Sequence, residues 1–231
     1  MPYNFDNIAP TYDRLNHLMT MGIDRGWRKR TVKEIAVESM PFNYLDVATG
    51  TGDLAQDILR RAHHDSRLTG IDLSQPMMDI ARRKIDADAM IHNPSQRVVF
   101  QQGDAEHIDF ADGTFDRVTV AFGVRNFVHL QEGLNEMCRV LRAGGRLAVL
   151  ELSYPDNPVL LWGYKLYALH ILPWFGGIIS HDRAAYEYLP NSLLRFPKPD
   201  TFIPMLRQAG FTKIEHHSFT FGVCRLYVAE K

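Results

Sequence analysis

Leu45-Asp46-Val47-Ala48-Thr49-Gly50-Thr51-Gly52-Asp53 is the stretch from which the fold is read. Tyr44-Leu45-Asp46-Val47 has the apolar character of a short strand, and helical spacing runs from Thr51 to about Arg61. Gly50 and Gly52 stand where the chain must turn between them. A residue without Cβ takes positive φ there at no steric cost and lets a ligand approach the backbone. A strand, a glycine turn and a helix in that order form the ligand-binding unit of open α/β sheets.

Downstream of this unit, strand and helix signals alternate. Residues 68–71, 97–101, 115–122 and 146–152 read as strands, the last one after a Gly144-Gly145 turn. A helix is expected over Gln75 to about Ile85, with Ser74 as N-cap and Pro76 in its first turn, and another around 130–141. Strands alternating with helices imply βαβ units and a mainly parallel sheet. Upstream, residues 5–20 and 24–38 carry helical spacing, with Leu15, Leu18 and Met19 on one side of the first. Residues 154–198 are aromatic and proline-rich, and are expected to form an insertion over the sheet. After a helix near 200–209, residues 211–219 and 222–230 read as strands separated by a break too short for a parallel crossover. These two are therefore expected to be antiparallel. Seven strands, mainly parallel and ending in an antiparallel hairpin, are the layout of class I methyltransferases on a Rossmann-like α/β domain. Residues 1–231 are read as one such domain, with N-terminal helices at 5–38 and the insertion, or lid, at 154–198.

The bulk numbers agree with a single soluble domain. The chain has 231 residues, 45% hydrophobic and 23% charged, with a formal net charge of -1. That balance gives no global field for nucleic acid or for an anionic membrane. Arg25, Arg28, Lys29 and Arg30 form a local basic cluster, read as a solvated helix face. Cys138 and Cys224 make neither a disulfide framework nor a metal site, and a reducing, cytoplasmic location fits them. The N-terminal MPYNFDNIAPTYD lacks the pattern of a secretory signal, and no run of 18 apolar residues suggests a membrane span.

Acidic residues narrow the ligand. Asp72 ends the second expected strand, where a carboxylate can accept hydrogen bonds from ribose hydroxyls, and Asp104 ends the third. Gly50-x-Gly52-x-x-Ala55 also satisfies the dinucleotide pattern. However, Asp53 in the first helical turn would repel a pyrophosphate that seeks the positive end of the helix. S-adenosyl-L-methionine carries an ammonium and a sulfonium and no phosphate, so Asp46 and Asp53 flanking the turn suit it better. A nicotinamide oxidoreductase would need its own hydride-transfer residues, and no Tyr-x-x-x-Lys follows the glycine turn. A nucleic-acid methyltransferase often carries Asn/Asp-Pro-Pro-aromatic after the fourth strand, where this chain has AFGVRN (121–126).

Further segments are more specific. They are Phe5-Asp6-x-Ile8-Ala9-Pro10-x-Tyr12-Asp13-x-Leu15-Asn16, Trp27-Arg28-Lys29, LDVATGTGD, Gly103-Asp104-Ala105-Glu106 and FDRVTVAFGVRNF (115–127). RVLRAGGRLAVLELS (139–153), Tyr186-x-Tyr188-Leu189-Pro190-x-Ser192 and Arg195-Phe196-Pro197 complete the set. In this order they resemble the ubiquinone/menaquinone biosynthesis C-methyltransferase family over nearly the whole chain. The resemblance implies methylation of a ring carbon in a polyprenylated quinol, demethylmenaquinol first and the ubiquinone precursor as the alternative. It further implies Thr51, Asp72, Asp104 and Ala105 as contacts to S-adenosyl-L-methionine; the reading of the turn adds Asp46, Gly50 and Gly52, and Tyr12 is expected to reach the cofactor from the N-terminal helix. Some relatives carry a serine contact where this chain has Ala121, which cannot donate. A non-catalytic cofactor-binding partner of a quinone-synthesis complex would have no use for intact glycine, acidic and FGVRN motifs.

Carbon methylation needs a quinol anion whose charge reaches the ring carbon, held against the methyl group away from water. Arg125 and Asn126 follow the fourth strand and are the expected catalytic pair. Arg125 would stabilise the quinolate oxygen, since an arginine stays protonated, and Asn126 would orient the ring. The alternative for Arg125 is a salt bridge that closes the loop. Tyr12 and Asp13 could fold over the cofactor; His107, His129 and His181 are conceivable bases, none ranked as catalytic. Tyr186, Tyr188 and Arg195 are candidates for the quinol site, and residues 158–179 for holding its tail. No metal or nucleic-acid partner is expected. Peripheral contact with the inner face of a membrane and the oligomeric state stay open.

Overall fold

A computed structural model describes residues 6–166 and 196–231. Its strands are β1 (Asn43–Val47), β2 (Arg67–Asp72), β3 (Val98–Gln102), β4 (Phe115–Ala121), β5 (Leu141–Leu152), β6 (Thr212–Phe219) and β7 (Cys224–Glu230). They form one sheet of order β3-β2-β1-β4-β5-β7-β6. The pairs among β1 to β5 are parallel, and β7 runs antiparallel to both β5 and β6. The expected hairpin ending is therefore present. From β1 the sheet grows through β2 and β3 on one side and through β4 and β5 on the other. The crevice at that reversal, beyond the C-terminal ends of the strands, is where open α/β sheets bind ligands.

Both faces of the sheet are covered, so β1 is an apolar run with only Asn43 exposed, as parallel strands require. Leu45, Val47, Val118, Val120, Leu147 and Val149 point to one core, shared with Leu134 and Met137 of α6 (Leu130–Val140) and Phe202 and Leu206 of a helix at Pro199–Gln208. Tyr44, Leu68, Ala148 and Leu150 point to the other core. There they meet α2 (Asp24–Ile35), α3 (Asp53–Arg61) and α4 (Gln75–Asp86) through Trp27, Ile58 and Met78. Ser74 caps α4 as expected, its hydroxyl accepting from the Met77 N–H at 3.4 Å. Gly52 sits at the start of α3 with φ 78°, and a Cβ there would come within 2.7 Å of the Ala81 Cβ on α4. The turn therefore needs glycine for its backbone angle and for the close approach of the two helices.

The boundaries differ from the sequence reading in physically understandable places. The first expected helix is split into a 3₁₀ turn, Asp6–Thr11, and α1 (Tyr12–Met19), because Pro10 brings no N–H to an α-helical ladder. β5 begins at Leu141 rather than 146, and its register against β4 shifts between Phe115 and Arg117 to pass the glycines. The four-residue α5 (Pro94–Arg97) is too short to show periodicity. The basic cluster is not the uniformly solvated face expected of it. Arg25, Lys29 and Arg30 are exposed, but Arg28 is buried, with Nη1 2.5 Å from Asp24 and Nε 3.1 Å from Asp57. Of the expected insertion, α7 (Pro158–Leu166) is described; His181, Tyr186, Tyr188 and Arg195 lie outside the described residues. No helix among the described residues is long and apolar enough to cross a membrane.

Asp46 fastens β1 to its neighbours from inside. Its carboxylate is 1% exposed and accepts hydroxyl hydrogen bonds from Thr119 on β4 at 2.6 Å and from Thr49 at 2.7 Å. Burial pushes its pKa up to about 6, and the two hydroxyls only partly oppose that rise. A folded-state pKa above the unfolded one means the folded chain holds the proton more tightly. Stability from this group is thus fully present below about pH 4 and is lost as pH rises to about 6. Asp46→Asn cannot titrate, so the stability of the wild type relative to this variant should fall by on the order of 2–3 kcal/mol between pH 4 and pH 7. Urea unfolding of both proteins at the two pH values measures this, and a difference independent of pH would show an ordinary carboxylate.

Candidate active site

Two cavities open at the C-terminal ends of the central strands and share Tyr12, Ala48, Gly50, Ala121 and Phe122 in their walls. The larger, about 400 Å³, lies over β1, β2 and β3 and reaches Asp72, Asp104, Ala105, Asn126 and Phe127. Asp72 is its organising group. One carboxylate oxygen accepts the Gly50 N–H at 2.8 Å, and the other accepts the Ser74 N–H at 2.9 Å. Burial raises the Asp72 pKa, and the backbone N–H bonds hold the rise back. The Leu73 N–H faces the carboxylate as well, so of the roughly four lone-pair positions of a carboxylate at least one stays open to a ribose hydroxyl. Asp104 is exposed at the rim, one oxygen accepting the Glu106 N–H at 2.9 Å, beside buried Ala105. No neighbour lies within 4 Å of where a Gly50 Cβ would stand, so a ligand can come down onto that backbone.

The smaller cavity, about 240 Å³, lies on the other side of Tyr12, between the N-terminal helices and the turn before β7. Asn16, Trp27, Phe122, Arg125 and Tyr164 contribute to a wall that is largely apolar. Trp27 meets Phe122 edge to face at 6.4 Å and donates its Nε1–H to the Thr220 hydroxyl at 3.1 Å. Ala48 and Phe122, which follow β1 and β4, have φ of 50° and 58°. Side chains rarely adopt such angles, and here both residues stand where the two cavities meet. The Tyr12 hydroxyl is hydrogen-bonded to Asn16; burial raises its pKa, and the nearby Arg125 charge works against that rise.

Arg125 and Asn126 lie together on a 3₁₀ turn, Val124–Asn126, but open onto different cavities. Arg125 is held in a buried ion pair: Nη1 is 2.6 Å from a Glu151 carboxylate oxygen and 2.5 Å from the Phe122 carbonyl. The salt-bridge alternative is thus realised, although Arg125 still contributes to the wall of the smaller cavity. The Thr51 hydroxyl lines the same cavity and donates to Asp13 of α1 at 2.5 Å, while Asp46 forms part of the floor with its oxygens already engaged by Thr49 and Thr119. Asp13 also takes Lys84 at 2.7 Å. Asp53 does not play the part expected of it. Its charge is matched by the ammonium of Lys84 and by Arg28 at 3.2 Å, so it does not stand as an uncompensated repeller of phosphate. His107 and His129 are exposed, and His129 pairs with Glu106 at 2.9 Å, which raises its pKa. Neither lines the smaller cavity.

Glu151 and Lys84 escaped the sequence reading. The signal for Glu151 was a lone acid inside the apolar RLAVLEL strand, since a charge so placed must find a buried partner. Lys84 gave no comparable signal, because a lysine in the last turn of an amphipathic helix is ordinary.

Residues 3–231 match the model of the ubiE/COQ5 methyltransferase family. The chain is 40% identical over 230 residues to the demethylmenaquinone methyltransferase of Bacteroides fragilis, covering 98% of this chain and 90% of that protein. It is 42% identical to the ubiquinone/menaquinone biosynthesis C-methyltransferase UbiE of Geotalea daltonii, covering 98% and 94%. Among solved structures, a SAM-dependent methyltransferase of Thermotoga maritima superposes with a TM-score of 0.66 at 18% identity, over 98% of this chain and 97% of that one. At that identity the superposition speaks for the fold, which is the class I methyltransferase arrangement of one mixed seven-stranded sheet. With nearly its whole length matched, the chain belongs to the ubiE/COQ5 methyltransferase family.

Proposed function

We propose that this enzyme transfers the methyl group of S-adenosyl-L-methionine to a ring carbon of a polyprenylated quinol, converting demethylmenaquinol to menaquinol. The observation that carries the proposal is the pair of cavities meeting at Tyr12, one reaching Asp72, Asp104 and Ala105 at the ends of the strands, the other walled by Trp27, Phe122 and Tyr164 beside Arg125. A volume of about 400 Å³ is within the range of cofactor sites. Asp72 would accept the ribose hydroxyls, Asp104 and Ala105 would face the adenine, and Gly50 would leave the backbone open to the ligand, whereas Gly52 lines neither cavity and serves the packing of α3 on α4. Asp46, Thr51 and Tyr12 border the end toward the acceptor. When bound, S-adenosyl-L-methionine supplies an electrophilic methyl carbon.

The residues of the smaller cavity handle the acceptor. Trp27, Phe122 and Tyr164 would set aromatic surface against a flat ring and keep water from it. Arg125 would stabilise the quinolate left by loss of the hydroxyl proton, whose charge spreads to the ring carbon, and Asn126, which lines the larger cavity, would orient the ring from the cofactor side. Tyr164 belongs to α7, whose Val159 and Trp162 are 76% and 71% exposed. An apolar surface beside the cavity suits a long prenyl tail and contact with the inner face of a membrane by an otherwise cytoplasmic enzyme. The name of the Geotalea relative covers both quinone pathways, so the ubiquinone precursor is the second reading.

Incubating the enzyme with labelled S-adenosyl-L-methionine and reduced demethylmenaquinone, beside the reduced ubiquinone precursor, should label the first more rapidly. Labelling of neither would defeat the proposal. Asp72→Ala should weaken S-adenosyl-L-methionine binding by on the order of 2–3 kcal/mol, because hydrogen bonds to charged groups are the stronger kind. An unchanged affinity by calorimetry would remove Asp72 from the cofactor site. Tyr164→Ala should raise KM for the quinol while cofactor affinity stays within about threefold, as expected for a residue that contributes binding on the acceptor side only. If cofactor affinity falls in step with KM, the assignment of the two cavities is wrong.

A further inference from the structure

Glu151 is wholly buried on β5, one residue before the strand ends beside the smaller cavity, yet it does not line that cavity. Its two carboxylate oxygens hold one residue at two places. One takes the Arg125 guanidinium Nη1 at 2.6 Å, and the other takes the Arg125 backbone N–H at 3.2 Å. The Leu152 N–H, at 2.8 Å, fixes the carboxylate in turn. A carboxylate that grips both ends of a long side chain fixes its rotamer, so the guanidinium is aimed before any ligand arrives. The second acceptor on Nη1, the Phe122 carbonyl at 2.5 Å, belongs to a residue held at positive φ.

We infer that Glu151 is the positioning residue of the acceptor site, acting through Arg125 to set the direction and range of its charge. Resting on the quinol methylation proposed above, this inference adds a residue that never touches substrate. Stability alone does not call for the pair, since buried ion pairs are commonly matched or surpassed by apolar residues of similar volume. Its location does call for it. The pair lies at the edge of the sheet where the cavities open, and the field it presents is that of a dipole with the cation foremost. Such a field is strong for an oxygen in contact with the guanidinium and fades quickly with distance. Arg125 can therefore stabilise a quinolate oxygen without drawing anionic metabolites toward the cavity. Other groups within reach of the Glu151 charge are Tyr12 on α1 and Cys224 and Tyr227 on β7.

The test compares wild type, Glu151→Gln and Glu151→Asp in complex with S-adenosyl-L-methionine, at a temperature where circular dichroism shows each folded. Glu151→Gln should lower kcat on demethylmenaquinol by about a hundredfold, the cost of misplacing a reacting group by roughly 1 Å. KM for the quinol and the Kd of the cofactor should stay within about threefold, because the aimed charge acts mainly in the transition state. Glu151→Asp keeps the charge on a shorter arm, so it should recover part of the lost kcat. It also serves alone if the glutamine variant does not fold. Wild-type kcat in Glu151→Gln would overturn the inference, as would a Glu151→Asp variant no better than Glu151→Gln, or loss of cofactor affinity in proportion to kcat. If the wild-type enzyme itself turns over no quinol, the proposed function fails and this inference with it. If it does, the variants bear on Glu151 alone.

Discussion

One carboxylate ties together the three pieces of backbone on which the ligand sites are built. Asp72 ends β2, accepts the N–H of Gly50 in the turn after β1, and accepts the N–H of Ser74 that caps α4. Ser74 passes the constraint on, since its hydroxyl donates to Asp6 at 2.5 Å and so draws the N-terminal segment over the larger cavity. Gly50, unlike Thr49 and Thr51, which are tied to Asp46 and Asp13, has no side chain with which to hold its place in the turn. Its geometry is imposed by a neighbouring strand, and an oxygen that shapes the loop also faces the space where a ribose would lie.

A second layer of charge secures the N-terminal helices against that frame. Arg28 of α2 reaches Asp24, Asp53 and Asp57, while Lys84 of α4 joins Asp13 of α1 to Asp53 of α3. These contacts are only partly exposed, so solvent screens them less than ordinary surface pairs. They settle where Tyr12 stands, and Tyr12 is the wall between the two cavities. The division of the site into two cavities thus leans on ion pairs lying behind it.

How much of this was legible in the sequence depended on the range of the interaction. The sheet, its hairpin ending and the Ser74 cap follow from periodicity and turn chemistry within a few residues, and all are present. Asp72 stands at the end of β2 as read, whereas Asp104 lies two residues past the end of β3 at Gln102; both line the larger cavity. What could not be read was pairing across distant segments. Arg28 looked like a solvated residue until three carboxylates converged on it, and Asp53 looked like an unmatched charge until Lys84 and Arg28 answered it. Arg125 was identified by the motif around it, but its partner, 26 residues later on the next strand, was not. Partner choice at such range is decided by sheet order, which a single sequence states only indirectly.

The strand order also bears on how the chain reaches this state. Residues up to Leu152 contain every parallel strand, and with them the whole glycine turn and the ion pair of Arg125. The outer edge of β5, however, pairs from Arg146 to Leu152 with Cys224 to Glu230, and β6 is in turn held by the far side of β7. During synthesis the parallel half can assemble early, leaving an unpaired and highly apolar strand edge until the last hairpin emerges. Bare edges of that kind invite pairing with another chain. The hairpin that marks this fold off from dinucleotide domains is therefore also its seal against aggregation, and the interval before it forms is the vulnerable part of the molecule's life.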